Sequence, residues 1–326
     1  MSNENPKLSW KQAFLNTEGP GTTAEFLSLF IKGVLMGIAN IIPGVSGGTI
    51  ALITGIYNEL LEAIRSFSLN TVRHLLHFEI KQAIATLHMR FLVTIFVGLG
   101  VSILSIAHIM QFLFTNYEEQ TWALFFGLVL ASILVMGIKT KNWMGSGGIN
   151  FVVGTLFAYY FVGLIPVSTP ETWWFILIAG AIAICTMILP GLSGSFFLLI
   201  IGKYEYIIGA LKQPFLPENL VIIAIFGMGC IVGIVSFSRV LSVLLENYEN
   251  ATMAFLTGIM CGSLRKIWPW KEVLEKKMIH GKLKIISEQN ILPQNFDEGF
   301  YLAIVLVVVG FVLVLLMEKI ASRKSD

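Results

Sequence analysis

Charge is distributed very unevenly along this chain, and that distribution constrains the fold more than any other feature. Four stretches, 1–25, 65–90, 265–298 and 318–326, contain 27 of the 42 Asp, Glu, Lys and Arg residues. The other 232 residues contain 15, in apolar runs of about 17–25 residues, the length that crosses a bilayer core. Mean hydropathy is +0.79 and only 13% of residues are charged, which excludes a water-soluble globular protein. The sequence predicts an all-α polytopic membrane protein.

Apolar runs bounded by helix-breaking residues predict ten helices. These are Glu25–Ile42, Gly47–Ile64, Phe91–Phe114, Thr121–Ile138, Ile149–Ile165, Thr172–Leu189, Ser195–Leu211, Leu220–Leu245, Thr252–Leu264 and Phe300–Met317. Segment 66–90 has an apolar stripe at helical spacing beside Arg73, Lys81 and Arg90. Within this amphipathic connector, residues 70–90 predict an amphipathic helix, either lying on an anionic membrane surface or packed on the protein. The polar segment 265–298 predicts a small extramembrane insert.

The two halves of the chain are copies of each other. Segment 41–57, IIPGVSGGTIALITGIY, matches segment 188–204, ILPGLSGSFFLLIIGKY, at a constant offset of 147. Asn116-Tyr117-Glu118 matches Asn247-Tyr248-Glu249 at an offset of 131, in the same order along the chain. The repeat predicts four parts. They are a cytoplasmic N-terminal segment (1–24), membrane repeat 1 (25–166), membrane repeat 2 (167–318) and a C-terminal tail (319–326).

The number of spans in each copy decides their relative orientation. Five spans, or three spans and a re-entrant hairpin, is an odd number, which turns the second copy upside down, as in many transporters. With a cytoplasmic N-terminus, connector 66–90 and the C-terminal tail are cytoplasmic, while Glu118 and Glu119 face outward. The insert then also faces outward, although its seven Lys and Arg residues run against the positive-inside tendency.

Each copy contains a Pro-Gly-x-Ser-Gly motif that interrupts its apolar run. Pro43 and Gly44 should end one helix, and Ser46 should cap the next, leaving the N–H groups of Gly47, Gly48 and Thr49 pointing at the break. Helix starts with little side-chain bulk bind anions, and paired interruptions mark the binding sites of transporters. The second motif places Ser193, Gly194 and Ser195 equivalently. The alternative is a glycine-lined kink for tight packing, which the repetition in matched positions disfavours.

Two cations inside apolar runs are further candidates for binding an anion. Arg239 lies deep in the run VSFSRVLSVLL, and Lys32 lies in FLSLFIKG. Ionisable groups at membrane depth are costly and usually functional. Both could instead snorkel to an interface, and Arg239 could be a structural partner of Glu246 or Glu249.

Three of these segments together resemble a known family. The three segments are 43–57, 190–204 and Gly262-Ser-Leu-Arg-Lys-Ile-Trp-Pro-Trp270. Through them the chain resembles, over nearly its whole length, the bacterial polyprenyl-phosphate transporters of the PopT type. The resemblance implies a multi-pass plasma-membrane protein that returns undecaprenyl phosphate to the cytoplasmic leaflet for cell-wall synthesis. It also implies that Lys32, Pro43–Thr49, Pro190–Ser195 and Arg239 occupy motif positions of the family. The partners would be the lipid, the bilayer and a coupling ion, either H⁺ or Na⁺.

Other interpretations of the sequence are open. A transporter of a small soluble anion or nutrient would have the same repeat. A membrane lipid phosphatase needs a His nucleophile with a second His and an acid, whereas the five histidines of this chain fall mainly in connectors. A scaffold gives no reason for two broken helices. The sequence predicts no catalytic centre, cofactor or metal site, and no basic block large enough for nucleic acid.

Overall fold

A computed structural model describes residues 9–15, 17–41, 46–67, 71, 73–74, 77, 79–141, 143–164, 169–279, 282–293 and 296–322. They form a mostly helical molecule with a two-stranded β-hairpin. Within these ranges, four helices are long and apolar enough to cross a bilayer, or up to six if each of two bent helix pairs counts as one span. The prediction of a helical, multi-pass membrane protein is confirmed at this level, but the all-α part of that prediction is wrong, because the polar insert forms the hairpin.

Helices make up most of the chain, and the hairpin precedes the last of them. In chain order the elements are α1 (Trp10–Leu15), α2 (Thr23–Ile41), α3 (Gly47–Ile53), α4 (Tyr57–Arg65), α5 (Ile80–Thr86), α6 (Met89–Asn116), α7 (Glu118–Lys139), a π-helical turn (Trp143–Gly147), α8 (Gly148–Phe161), α9 (Trp173–Ile188), α10 (Gly194–Ile200), α11 (Tyr204–Lys212), α12 (Pro217–Ser263), β1 (Lys271–Ile279), β2 (Lys282–Asn290) and α13 (Glu298–Ser322).

Two of the predicted helices are each divided in two. The run 47–64 predicts one helix, but the chain turns at Gly55, whose φ is +74°, between α3 and α4. Gly202, with a φ of +63°, lies between α10 and α11, which are bent by 116°. Glycine adopts this left-handed backbone at little cost. Hydropathy gives no sign of the turn because the residues on both sides are apolar.

Tyr248 divides the long helix α12 into two arms, 217–247 and 249–263. Its φ and ψ are −134° and 41°, which are not helical. Tyr117, 131 residues earlier, separates α6 from α7 with nearly the same backbone angles, −140° and 49°. The predicted boundary between Leu220–Leu245 and Thr252–Leu264 therefore corresponds to a kink rather than to a loop.

Glycine contacts pack equivalent helices of the two halves in the same way. A Cβ on Gly33 of α2 would strike the backbone of Ile95 of α6. A Cβ on Gly180 of α9 would strike the backbone of Phe226 in the first arm of α12. The two pairs are equivalent in the repeat, because Gly180 follows Gly33 by 147 residues and Phe226 follows Ile95 by 131 residues. Close backbone approach at small residues is the usual way in which helices associate in a membrane.

The last helix of each half packs on the other half. Gly127 of α7 lies against the backbone of Val307 of α13. Gly258, in the second arm of α12, lies against the backbone of Phe151 of α8. Because α8 and α13 are exchanged in this way, the two halves are interlocked.

The connector 66–90 differs from the continuous amphipathic helix that its periodicity predicts. Helix α5 ends at Thr86, and the chain bends by 82° before α6. Ala83 and Leu87 of the apolar stripe are buried, whereas Ile80 is 47% exposed. The stripe positions 72, 75 and 76 lie outside the described residues. The prediction of one helix through position 90 is wrong at this bend.

The insert folds as the hairpin β1–β2, with Lys271 paired to Asn290 at its base. The indole Nε1 of Trp270 donates to Oε1 of Glu119 at 2.6 Å, and its ring lies 5.7 Å from that of Phe300. The hairpin therefore lies at the end of the molecule where α7 and α13 begin. We call this the hairpin end.

Candidate functional site

Ser46 begins helix α3 as the motif predicts. Its backbone is extended, and its Oγ accepts a hydrogen bond from the N–H of Gly48 at 3.1 Å. The prediction of an N-cap is confirmed, and the residue is only 1% exposed. Pro43, Gly44 and Val45 lie outside the described residues.

The first three N–H groups of α3 are not open to a ligand in this conformation. The N–H of Gly47 donates to Oδ1 of Asn40 at 2.8 Å, Gly48 donates to Ser46, and Thr49 donates to the carbonyl of Ser46 at 2.9 Å. The expectation that these groups point unpaired at the break is wrong. Asn40, at the end of α2, supplies a side-chain acceptor that the motif alone does not reveal.

The two Pro-Gly-x-Ser-Gly motifs meet in the interior of the protein. The hydroxyl of Ser46 donates to the carbonyl of Met187 at 2.9 Å. The N–H of Gly191 donates to Oγ1 of Thr49 at 2.9 Å. Both bonds join residues more than 140 positions apart, one from each half. We call this contact between the breaks the tip contact.

Tyr57 and Gly48 also contribute to the tip contact, through a hydrogen bond and through close backbone approach. The hydroxyl of Tyr57 is buried and donates to the carbonyl of Ile188 at 3.2 Å. A Cβ on Gly48 would strike that same carbonyl oxygen. Glycine is therefore required at position 48 if the two halves are to approach this closely.

The second motif has a different hydrogen-bond pattern. Ser193 holds the N-cap position of α10, but its side chain does not cap the helix. Its hydroxyl instead shares a 2.8 Å hydrogen bond with the hydroxyl of Ser195. Gly191 has a φ of +82° and lies against the backbone of Met260. Ser193 and Gly194 are buried.

Among the described residues, the structure does not bring Arg239 to Ser46 or Ser193. Arg239 is exposed on the first arm of α12, and no hydrogen bond or ion pair joins it to any described residue. Glu246, one of its candidate partners, pairs instead with Arg65 at 2.6 Å. Lys32 is half-buried on α2.

A cavity that the motifs do not predict lies beneath the hairpin. It has a volume of about 1050 Å³ and lies between α7, α8, α10, the second arm of α12 and β2. Arg265 and Lys266 line it, directly after α12 ends. The sequence signal is a pair of adjacent cations between an apolar run and a Trp-Pro-Trp segment, but such cations are also common at ordinary membrane interfaces.

The charges around this cavity are partly paired. Lys266 Nζ lies 2.7 Å from Oε1 of Glu288, and Lys271 Nζ lies 3.3 Å from the same oxygen. Arg265 Nη1 donates to the carbonyl of Tyr159 at 3.0 Å, and the guanidinium lies 4.5 Å from the centre of that ring. The carboxylate of Glu288 thus contacts two lysines, and Arg265 lines the same cavity.

Burial and neighbouring charges shift the pKa values of Lys271 and Glu288 in the hairpin. Desolvation lowers the pKa of Lys271 to about 8, and the nearby Glu288 only partly opposes the shift. Desolvation acts to raise the pKa of Glu288, but Lys271 and Lys266 outweigh it and hold that pKa below its usual value. Among the described residues, no three His, Cys, Asp or Glu side chains are grouped to hold a metal ion.

Comparison with known proteins identifies the family. The family model described as VCA0040-like, undecaprenyl phosphate translocase-like, matches residues 36–284. A polyprenyl-phosphate transporter of Vibrio cholerae serotype O1 is 40% identical over 310 residues, which are 93% of this chain and 99% of that protein. The chain belongs to the undecaprenyl phosphate translocase-like family.

The similarity extends to a more distant bacterium. A polyprenyl-phosphate transporter of Staphylococcus aureus is 26% identical over 309 residues, 90% of this chain and 97% of that protein. Both relatives carry the names of transporters rather than of enzymes. No solved structure matches the chain. The resemblance of the two breaks and of segment 262–270 to this translocase-like family is confirmed.

Proposed function

We propose that this protein translocates undecaprenyl phosphate across the bacterial plasma membrane and returns it to the cytoplasmic leaflet for cell-wall synthesis. The observation that carries the proposal is 40% identity, along nearly the whole of both chains, with a protein named a polyprenyl-phosphate transporter. The apolar helices and the two broken helix pairs are consistent with lipid transport. H⁺ or Na⁺ would supply the driving force.

An inverted repeat is part of this proposal, and the directions of the matched helices support it. Helix α7 begins at the hairpin end, where Glu119 bonds Trp270. Its repeat mate, the second arm of α12, ends there instead. At the opposite end, the N–H of Lys141 donates to Oδ1 of Asn250 at 3.3 Å, joining the end of α7 to the start of that arm. Matched helices that run in opposite directions are the mark of such a repeat.

The tip contact is the proposed gate for the phosphate. The contact closes the space between the breaks, and its hydroxyl groups are occupied by the other half. Separation of the tips would release the hydroxyls of Ser46 and Thr49 and the N–H of Gly191. Each charge-assisted hydrogen bond to a phosphate contributes about 1.5–3 kcal/mol, enough to offset the lost contacts.

The substrate-binding residues of the proposal are those that the motifs and the cations in apolar runs predict. They are Lys32, Ser46, Gly47, Gly48, Thr49, Ser193, Gly194, Ser195 and Arg239. Arg239 lies eight residues before the end of the first arm, or about 12 Å along the helix. Its exposed guanidinium has no ion-pair partner among the described residues and would be available to a phosphate in the membrane.

Reconstitution into liposomes tests the proposal. A quenchable undecaprenyl phosphate is placed in one leaflet, and the rate at which it reaches the other is compared with protein-free vesicles. Acceleration by the protein is expected. A matched assay with radiolabelled soluble anions examines the competing function. Unchanged lipid rates at adequate protein density, together with uptake of a soluble anion, would contradict lipid translocation.

A further inference from the structure

The cavity beneath the hairpin is separate from the tip contact and combines two kinds of surface. Arg265 and Lys266 line it together with aromatic rings, among them Trp122, Phe126 and Trp268. Phe126 and Trp268 pack edge to face, with ring centres 5.4 Å apart. Its volume is at the upper end of the range for small-molecule sites, about 300–1,000 Å³. A ligand with an anionic head and an apolar body fits both surfaces.

Arg265 is held in place but keeps unused donors. One nitrogen donates to Tyr159, and the guanidinium stacks on the ring of that residue. A Cβ on Gly163 would strike the guanidinium, so glycine makes room for it. A guanidinium has five N–H donors, and those beyond the bond to Tyr159 can bind a phosphate in the bidentate manner that lysine cannot.

Lys266 has a partner that it can release. Glu288 contacts Lys266 and Lys271 through the same oxygen, so Lys271 would keep the carboxylate paired if Lys266 turned to another anion. The cavity lining carries two cations, Arg265 and Lys266, and one carboxylate, Glu288, so its net charge is positive. Lys271 lies outside the lining, where Glu118 is a further charge near it. An isolated acid in the cavity would repel the phosphate, and the second lysine prevents this.

We propose that this cavity is the loading site for the head of a prenyl phosphate lipid at the hairpin end of the protein. Arg265 is the main phosphate ligand, Lys266 is the second, and the aromatic walls hold the first isoprene units. The inference rests on the proposed function and adds a site to it, 26 residues along the chain from Arg239 and outside both motifs.

The fold links this site to the gate. Phe196 lines the cavity, and it directly follows Ser195 of the second motif. The ammonium of Lys266 also lies 5.0 Å from the centre of the Phe196 ring. Helix α10 therefore has one turn in the cavity wall and its first residue beside the tip contact. A head group loaded at Arg265 would have a short path to the gate along this helix.

Binding of a water-soluble short-chain probe tests the site directly. Farnesyl phosphate is titrated into the purified full-length protein in detergent, with farnesol and inorganic phosphate in parallel. We expect Arg265→Gln to weaken farnesyl phosphate binding about 10–100-fold and Lys266→Gln about 3–10-fold, as expected for loss of charge-assisted hydrogen bonds. Arg265→Lys should restore part of the affinity. Arg65→Gln, which removes an arginine that does not line the cavity, is the matched control.

A native thiol reports occupancy of the same cavity. Cys261 lines it, whereas Cys185 and Cys230 lie elsewhere. In a Cys185→Ala, Cys230→Ala background, farnesyl phosphate should slow modification of Cys261 by a small thiol reagent. The protection should be lost in Arg265→Gln. Thermal unfolding measured on every variant separates lost binding from lost folding, and Arg265→Lys supplies the answer if the glutamine variant is unstable.

The results of these experiments distinguish a failure of the proposed loading site from a failure of the proposed transport function. Unchanged affinity and protection in folded Arg265 and Lys266 variants would overturn the loading site, even if the wild-type protein transports lipid. Equal affinity for inorganic phosphate and farnesyl phosphate would identify a free-phosphate site and would also overturn it. Selective binding by a wild-type protein that does not accelerate lipid movement would support the site and contradict the proposed transport.

Discussion

The hydroxyl of Ser46 donates to the carbonyl of Met187 across 141 positions of sequence, and the same oxygen caps helix α3 through Gly48. One atom thus begins a helix in one half and bonds it to the other half. Ser46→Ala should lower the stability of the protein by about 1–2 kcal/mol, the cost of a lost cap and of a partly buried carbonyl left unpaired. Ser193→Ala, which removes a bond only to Ser195, should cost less. Thermal unfolding in detergent compares the two, and an equal loss would contradict the double role.

Gly48→Ala should prevent close approach of the tips. The added methyl group has to displace the carbonyl of Ile188, which is backbone. We expect lower thermal stability and lipid transport reduced at least tenfold, about 1.4 kcal/mol in the barrier. Gly209→Ala on α11 is the control, because a Cβ there meets no other atom within 4 Å. Normal transport by folded Gly48→Ala would show that the tip contact is dispensable.

Cysteines at Tyr117 and Tyr248 should react from opposite sides of the membrane. Both positions are exposed, at 49% and 65%, and they are repeat mates with the same backbone geometry. The assay uses a membrane-impermeant maleimide on whole and on permeabilised cells, in a background lacking the three native cysteines. Labelling of both from the same side would mean that the two halves are parallel.

Arg239→Ala should leave the fold intact and reduce transport. The side chain is exposed and makes no ion pair with any described residue, so its removal costs little packing. Arg239→Lys should retain part of the activity because a point charge replaces a bidentate donor. Transport per folded molecule is compared with that of Arg65→Gln. Full activity of Arg239→Ala would exclude it as a phosphate ligand.

Lys271 should make the stability of the protein depend on pH above neutrality. Its pKa is lowered from 10.5 to about 8, so the unfolded chain binds more protons than the folded protein between these values. The contribution of this group to stability therefore rises with pH between about 8 and 10.5, by at most about 1.4 kcal/mol per pH unit. The difference in unfolding free energy between wild type and Lys271→Gln should change in favour of the wild type over this range. A constant difference would contradict the shift.

The main helices and the cap are predictable from the sequence because they depend on local features. Apolar runs between charged connectors predict α6, α7 and α13, and the Pro-Gly-x-Ser-Gly pattern predicts the start of α3 at Ser46. Gly55 and Gly202 are not recognisable as turns, since composition does not report which glycine adopts a positive φ. The turns that divide the long apolar runs are seen only in the backbone dihedral angles of the folded protein.

The contacts of the candidate site are not predictable from the sequence because they join distant parts of the chain. Asn40 occupies the N–H of Gly47, and nothing in the motif indicates an acceptor seven residues earlier. Arg265 and Lys266 lie at the end of an apolar run, where cations commonly mark only the membrane surface. They are recognisable as a site only in the folded protein, where the hairpin and Glu288 form a cavity around them.

The exchanged pairing of α7 with α13 has a consequence for how the protein is made. Gly127 meets its partner Val307 only after 180 more residues have been synthesised, about 10–40 s at ordinary ribosomal rates. During that interval the glycine face of α7 stays in the lipid without its partner helix. A nascent chain of this kind depends on the insertion machinery to hold it, and a truncation that removes α13 should send the remainder to membrane proteases although every residue of the first repeat is present.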